Sequence, residues 1–193
     1  MKIILASTSP RRQELLKMAG VDFTTMAVHI DESWQIGEHA NDYIKRMVES
    51  KFEKACEQPL QGRNLLITAD TIGVLPDGGI LTKPCSQSDA YAMWDKMSNA
   101  SHEVWTAVCA GVVDEGFLMT QQSMICKTKV HFVELTDAMK HDYWQSGEPL
   151  DKAGGYAIQG RAMAWVRSID GSYTNVVGLP LAQTLELIKN VQS

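Results

Sequence analysis

The sequence has no long hydrophobic run. Its longest uninterrupted apolar stretch, Ala107 to Val113, is far too short to cross a bilayer. It has no excess of positive charge: 18 basic against 23 acidic residues leave a net charge of -5. That balance argues against bulk binding of nucleic acid or of an anionic membrane, and leaves room for a local basic pocket. Cysteine is scarce and scattered. Cys56, Cys85, Cys109 and Cys126 form no CxxC pair and no Cys/His metal cluster, so a secreted, disulfide-stapled fold is not expected and a reducing cytoplasm is. The opening MKIILASTSP has few apolar residues before Ser7 and Pro10 and does not read as a signal peptide. Three familiar motifs are missing. Without GxxxxGK[ST] there is no P-loop, without GxGxxG after a strand a classical dinucleotide fold is not expected, and no GxSxG occurs. His29, His39, His102, His131 and His141 show no ligand spacing and read as surface or satisfied histidines.

What remains is the composition of a soluble globular protein, 45% hydrophobic and 21% charged over 193 residues. That length suits one domain, or two lobes sharing a sheet. Lys2 to Ala6 reads as a buried strand. Ser9-Pro10 then opens a helix, with serine as N-cap and proline in the first helical position, and Gly20 stops it. Phe23 to Val28 is a second strand candidate. Ala40 to Cys56 has helical periodicity. Leu65 to Ala69 predicts a buried strand ending at Asp70, and the turn Pro76-Asp77-Gly78-Gly79 predicts a hairpin of Ile72–Leu75 with Ile80–Leu81. Ser86 to Met97 reads as a capped helix. Two long strands, Val104–Val113 and Phe117–Val133, meet at Asp114-Glu115-Gly116. Thr136 to Trp144 is a short helix, the glycine-rich stretch from Glu148 to Arg161 a functional loop, Ala162 to Ile169 a strand, and Leu181 to Val191 a closing helix. Strands and helices alternate throughout, which is an α/β or α+β pattern with a mixed sheet.

Arg11 and Arg12 stand in the first turn of a helix, at the positive end of its dipole, where cations are disfavoured. They make sense beside an anion docked at the helix start, where Ser7, Thr8 and Ser9 add hydroxyls; the plainer reading is two solvated arginines. Lys51 lies four residues after Met47 and four before Ala55, on the apolar face of its helix. Either it snorkels, or its charge has work to do there. Lys83 precedes Pro84 and is uninformative alone. Asp70 at a strand end and Glu32 in a polar loop are carboxylates of the kind that hold Mg²⁺ on a polyphosphate, and each could equally be a turn or surface residue.

Read together, these segments resemble the Maf family of nucleotide pyrophosphatases over about residues 2 to 190. The pieces are LASTSPRRQELL (5–16), IDES (30–33), ADT (69–71), KP (83–84), HEVWTAV (102–108), DKAGGYAIQG (151–160) and GSYTNVVGLPL (171–181). The resemblance implies one domain over residues 1–193, with an α/β fold like that of inosine-triphosphate pyrophosphatases: a long mixed sheet flanked by helices in two lobes with a cleft between them. It implies a cytoplasmic homodimer that uses a divalent cation, Mg²⁺, Mn²⁺ or Co²⁺. The reaction implied turns a nucleoside triphosphate and water into the monophosphate and pyrophosphate. By motif position Asp70 matches the family's proton acceptor. Ser7, Arg11, Arg12, Glu32, Lys51 and Lys83 match its phosphate-, metal- and catalysis-associated positions, with Glu32 and Asp70 as metal-holding carboxylates. Arg11, Thr71 and Gln159 follow the dTTP/UTP branch, where the 7-methyl-GTP branch has tryptophan, glutamine and glutamate. The substrates implied are dTTP and UTP, with modified pyrimidine nucleotides as further ones. The chain departs from the family pattern at Phe52, where alanine is usual, at Gly155 and Ala157, and over Arg161 to Trp165. Two other readings compete. One is a nucleotide-binding regulator of septum formation without turnover. The other is a hydrolase of damaged bases such as inosine triphosphate, which the three specificity positions argue against.

Overall fold

The computed structural model describes residues 1–193, with the side chain of Asp151 outside the description. Seven strands form one mixed sheet. They are β1 (Lys2–Leu5), β2 (Thr24–Thr25), β3 (Arg63–Val74), β4 (Ile80–Leu81), β5 (Ser101–Asp114), β6 (Phe117–Phe132) and β7 (Val166–Asp170). The hydrogen-bonded order is β2-β1-β3-β5-β6-β7, with β4 beside β3. β1 runs parallel to both β2 and β3, whereas β4 and β7 run antiparallel to their neighbours. Six helices accompany the sheet: α1 (Pro10–Met18), α2 (Ala40–Cys56), α3 (Gln87–Met97), α4 (Asp137–Gln145), α5 (Tyr173–Val177) and α6 (Leu181–Gln192). The α/β class with a long mixed sheet is therefore as the sequence predicts. None of these helices is long and apolar enough to cross a membrane.

The chain divides into two compact units. The first comprises Met1–Asp70, Thr106–Cys126 and Gly178–Ser193. Its core is largely aliphatic, with Leu5, Leu16, Ile44, Met47, Leu65 and Ile67 fully buried and Phe52 nearly so. The second comprises Thr71–Trp105 and Lys127–Val177. Its core is aromatic: Trp94 and Trp165 rings lie 5.1 Å apart edge-on, Tyr143 and Trp165 4.7 Å, Phe132 and Tyr156 4.9 Å. Edge-to-face pairs of this kind add stability beyond the area they bury.

Local chemistry explains several element boundaries. Ser86 Oγ accepts from the Asp89 N–H at the start of α3, and Thr136 Oγ1 accepts from Met139 N–H at the start of α4. Glu115 and Gly116 both take positive φ, as a two-residue turn between β5 and β6 requires. Other boundaries differ from the sequence expectation. β3 does not end at Asp70; it continues to Val74, so Asp70 is an inner strand residue. The Phe23–Val28 candidate shrinks to Thr24–Thr25, an exposed two-residue edge. Residues 161–165 form a 3-10 turn, and the strand begins only at Val166. There Ala162 and Trp165, three apart, are buried together, a spacing that suits a 3-10 turn better than a strand. The Glu148–Arg161 loop contains two short 3-10 segments, 148–151 and 153–155, and α5 forms within the GSYTNVV segment, where the sequence signalled no helix.

Candidate active site

The candidate site is built in the first unit, where α2 lies against β3. Thr68 Oγ1, fully buried, donates to the Val48 carbonyl at 3.0 Å and pins strand to helix. Asp70 is two residues beyond Thr68 and shares its face of the strand; Lys51 is three residues beyond Val48 and shares its face of the helix. The pin therefore aims Asp70 and Lys51 at each other. Lys51 Nζ stands 2.5 Å from Asp70 Oδ1 and 2.7 Å from Glu32 Oε1. The Lys51 and Asp70 side chains are 13% and 14% exposed, the Glu32 side chain 52%. Lys51 thus does not snorkel: its ammonium joins two carboxylates.

The β1–α1 turn supplies the cationic half. Ser7 is buried, and its Oγ accepts from Ser9 N–H at 3.3 Å and from Arg12 Nη1 at 3.1 Å. Ser9 is the N-cap residue but makes no side-chain cap bond, and no acidic residue stands in the first turn. Arg12 also donates through Nη1 to the Ala69 carbonyl at 2.8 Å and through Nε to the Gly178 carbonyl at 2.9 Å. It therefore ties α1 to the β3 residue just before Asp70. Burial lowers the Arg12 pKa from its ordinary value; Asp70 opposes that shift, neighbouring Arg11 adds to it and Glu32 opposes it. Arg12 is not a solvated surface arginine. Arg11 is half-buried on the same turn.

The remaining candidates belong to the second unit. Thr71 is half-buried at the point where β3 enters it. Lys83 is exposed after β4, and Gln159 is exposed just before Gly160. Around Gly160 the chain is tightly held: Glu148 accepts from Tyr143 OH at 3.0 Å and from Arg161 N–H at 3.1 Å, and a Cβ on Gly160 would fall 1.6 Å from Glu148 Oε1. His102, expected on the surface or satisfied, is buried and only half satisfied. Its Nε2 lies 2.6 Å from Tyr156 OH, and its Nδ1 has no hydrogen-bond partner among the described residues. Cys109 is buried, as its apolar run predicts, and burial pushes its thiol up to about 12.

Two site residues carried no sequence signal of their own. Tyr43 OH donates to the Glu32 carbonyl at 2.9 Å, and Arg46 Nη2 to the Ser33 carbonyl at 3.0 Å. Their spacing on α2 relative to Lys51 was the available clue. The donor set also bears on metal binding. No group of three or more His, Cys, Asp or Glu residues gathers among the described residues. Glu32 and Asp70 nevertheless converge on one cation, the Lys51 ammonium. Two hard oxygen donors suit a Mg²⁺-type ion whose other ligands are phosphate oxygens and water.

The sequence profile of the family described as "Maf-like protein" matches residues 2–191. Among curated relatives, the "dTTP/UTP pyrophosphatase" of Psychrobacter cryohalolentis is 50% identical, with 99% of this chain and 97% of the relative covered. That of Psychrobacter arcticus is 49% identical over 99% of this chain and 95% of the relative, and that of Acinetobacter baylyi 42% over 98% and 99%. Among solved structures, the Staphylococcus aureus Ham1 protein covers 100% of both chains with a TM-score of 0.52 at 8% identity, which is a likeness of fold.

Proposed function

The chain belongs to the Maf-like family, and we propose that it is a nucleoside triphosphate pyrophosphatase that hydrolyses dTTP and UTP to the monophosphate and pyrophosphate. The relatives that carry that name match nearly end to end, which supports reading residues 1–193 as one pyrophosphatase domain. The observation that carries the chemistry is the Glu32–Lys51–Asp70 cluster beside the Ser7–Arg12 turn.

A triphosphate brings about four negative charges, so catalysis of its hydrolysis is largely positioning and charge stabilisation. Arg11, Arg12, Lys51 and Lys83 supply cations in a chain whose net charge is -5. Ser7 and the start of α1 bind phosphate oxygens. Glu32 and Asp70 would hold a divalent cation, Mg²⁺, Mn²⁺ or Co²⁺. When bound, that ion neutralises phosphate charge and lowers the pKa of water. Lys51 holds Asp70 through Oδ1, and Asp70 would take a proton from the attacking water. Arg11, Thr71 and Gln159 read the base. Gln159 offers a donor and an acceptor, which suits the imide edge of thymine or uracil. The protein works in the cytoplasm as a homodimer, and modified pyrimidine triphosphates are further substrates.

The test is pyrophosphate release from dTTP, UTP, 7-methyl-GTP and ITP with each of the three metals. Release from dTTP and UTP above the other two supports the reading. Binding of dTTP without any release would make the chain a nucleotide-sensing regulator instead.

A further inference from the structure

Glu32 sits in a loop with no core of its own. Residues 31 to 37 are all exposed, and Ile36 is fully so. A carboxylate that must stand in one place is a poor fit to such a loop unless neighbouring groups lock it. Three side chains of α2 do reach it. Tyr43 OH donates to the Glu32 carbonyl at 2.9 Å. Arg46, three residues on, grips Glu38 with a two-pronged fork, Nε to Oε1 at 2.7 Å and Nη2 to Oε2 at 2.6 Å, and also donates to the Ser33 carbonyl at 3.0 Å. Lys51, eight residues beyond Tyr43, takes the Glu32 carboxylate at 2.7 Å. This spacing places all three on one side of the helix.

The loop also closes on itself. Asp31 Oδ1 accepts from Ser33 N–H at 2.9 Å, Glu38 Oε2 from Gln35 N–H at 3.2 Å, and the Gln35 carbonyl from Glu38 N–H at 3.1 Å. Glu38 is the knot, its side chain only 9% exposed. The fork from Arg46 holds the Glu38 carboxyl below its ordinary pKa and raises that of Arg46, so the pair stays charged. Burial, helped by the charges of Asp70 and Glu32, pushes the Tyr43 phenol up to about 12, so it stays a donor. The Trp34 ring stacks on Tyr43 at 5.0 Å.

We propose that Tyr43 and Arg46 are positioning residues, which clip the loop of residues 31–38 to α2 and so set where the Glu32 carboxylate stands against Lys51 and Asp70. The inference rests on the pyrophosphatase reading, in which Glu32 serves the triphosphate. Tyr43→Phe removes only the hydroxyl and keeps the ring that Trp34 stacks on. Arg46→Met removes the fork, and Arg46→Lys keeps the charge without the two-pronged geometry.

Two measurements test the clip. Hydrogen exchange of the free protein needs no nucleotide. Peptides covering residues 31–38 should exchange faster in Tyr43→Phe and Arg46→Met, while those of α6 stay as in the parent. Kinetics with dTTP should show a fall in kcat/KM of about ten- to a hundredfold for Arg46→Met, the scale of a misplaced group, with partial rescue in Arg46→Lys. In a Glu32→Gln background the same substitutions should cost nothing further, because their effect runs through that carboxylate. The same cycle on the Kd of a non-hydrolysable dTTP analogue gives the coupling independently of turnover. Equal losses with and without Glu32, or unchanged exchange over residues 31–38, would overturn the clip. A parent protein that binds the analogue but releases no pyrophosphate would overturn the enzymatic reading instead.

Discussion

The Lys51 ammonium lies 2.5 Å from Asp70 Oδ1, and that contact follows from a buried hydrogen bond one step away, between Thr68 and the Val48 carbonyl. The strand residue that pins the helix and the strand residue that carries the acid are two apart. The acid is therefore oriented by a strand pinned to a helix, while its partner Glu32 comes from a loop.

Asp70→Asn should fold as the parent does, because the carboxamide oxygen still accepts from Lys51. It should lose turnover, because a carboxamide takes no proton. Removing a positioned acid–base group costs about 10²–10⁴-fold. The check is kcat with dTTP at saturating metal alongside a thermal melt. Retention of more than roughly a tenth of the parent kcat would remove Asp70 from the role of base.

Lys51→Met separates snorkelling from ion pairing. A snorkelling lysine would be replaced at no cost, since methionine suits an apolar helix face. In this fold the substitution leaves Asp70 and Glu32 converging with no cation between them. Breaking such a pair costs more than the pair itself contributes, on the order of 1–3 kcal/mol here. Denaturant midpoints and dTTP turnover should both fall. A variant as stable and as active as the parent would contradict the arrangement.

Phe52 is buried on α2, and Gly111 on β5 makes room for it. A Cβ at Gly111 would lie 2.6 Å from Phe52 Cζ and 2.6 Å from the Thr120 carbonyl oxygen. Gly111→Ala should therefore destabilise by about 1–3 kcal/mol, the scale of overpacking. Phe52→Ala added to it should recover part of that loss and not all, because the Thr120 carbonyl is backbone and stays. Denaturant unfolding of the two single variants and the double variant decides it. An additive double variant would mean the ring and the glycine are not coupled.

What was legible in the sequence was periodic or capped. The run Ala40–Cys56 gave α2 to the residue, and Ser86 with Asp89 marked α3. Short apolar runs were legible only in part: Lys2–Ala6 is β1 and Leu65–Ala69 lies inside β3, while others misled. Ala162–Ile169 looks like a strand because one to two turns of buried 3-10 structure and a strand share the same composition. At the site, motif position singled out Glu32, Lys51 and Asp70, and their convergence is a tertiary fact that no spacing encodes. Arg12 was legible as an anomaly, a cation at the wrong end of a helix. Its bonds to Ser7, Ala69 and Gly178 explain it as a structural tie, something a lone helix dipole argument does not reach. Tyr43 and Arg46 carry no signal in the sequence, because polar residues on a helix usually mean a solvated face.

The second unit carries a pH dependence of its own. His102 is buried against Phe132 and Tyr156, whose ring centroids lie 4.9 and 5.4 Å away. Burial lowers its pKa from 6.5 to about 4, and the charge of His131 pushes the same way. Above pH 6.5 His102 is neutral in both folded and unfolded chains, and its share of the stability is complete. Between pH 6.5 and about 4 the unfolded chain binds a proton that the folded chain refuses, so stability falls as the pH drops. One such group changes the unfolding free energy by at most about 1.4 kcal/mol per pH unit. Below that window both states are protonated and the decline from His102 ends. His102→Gln removes the titration while its amide can still pair with the Tyr156 hydroxyl. Unfolding free energies measured from pH 7 down to 4 should fall less steeply in His102→Gln than in the parent, by an amount approaching that single-proton slope. Parallel curves would mean that His102 takes up its proton in the folded state as readily as in the unfolded one, and that its burial does not hold the imidazole neutral.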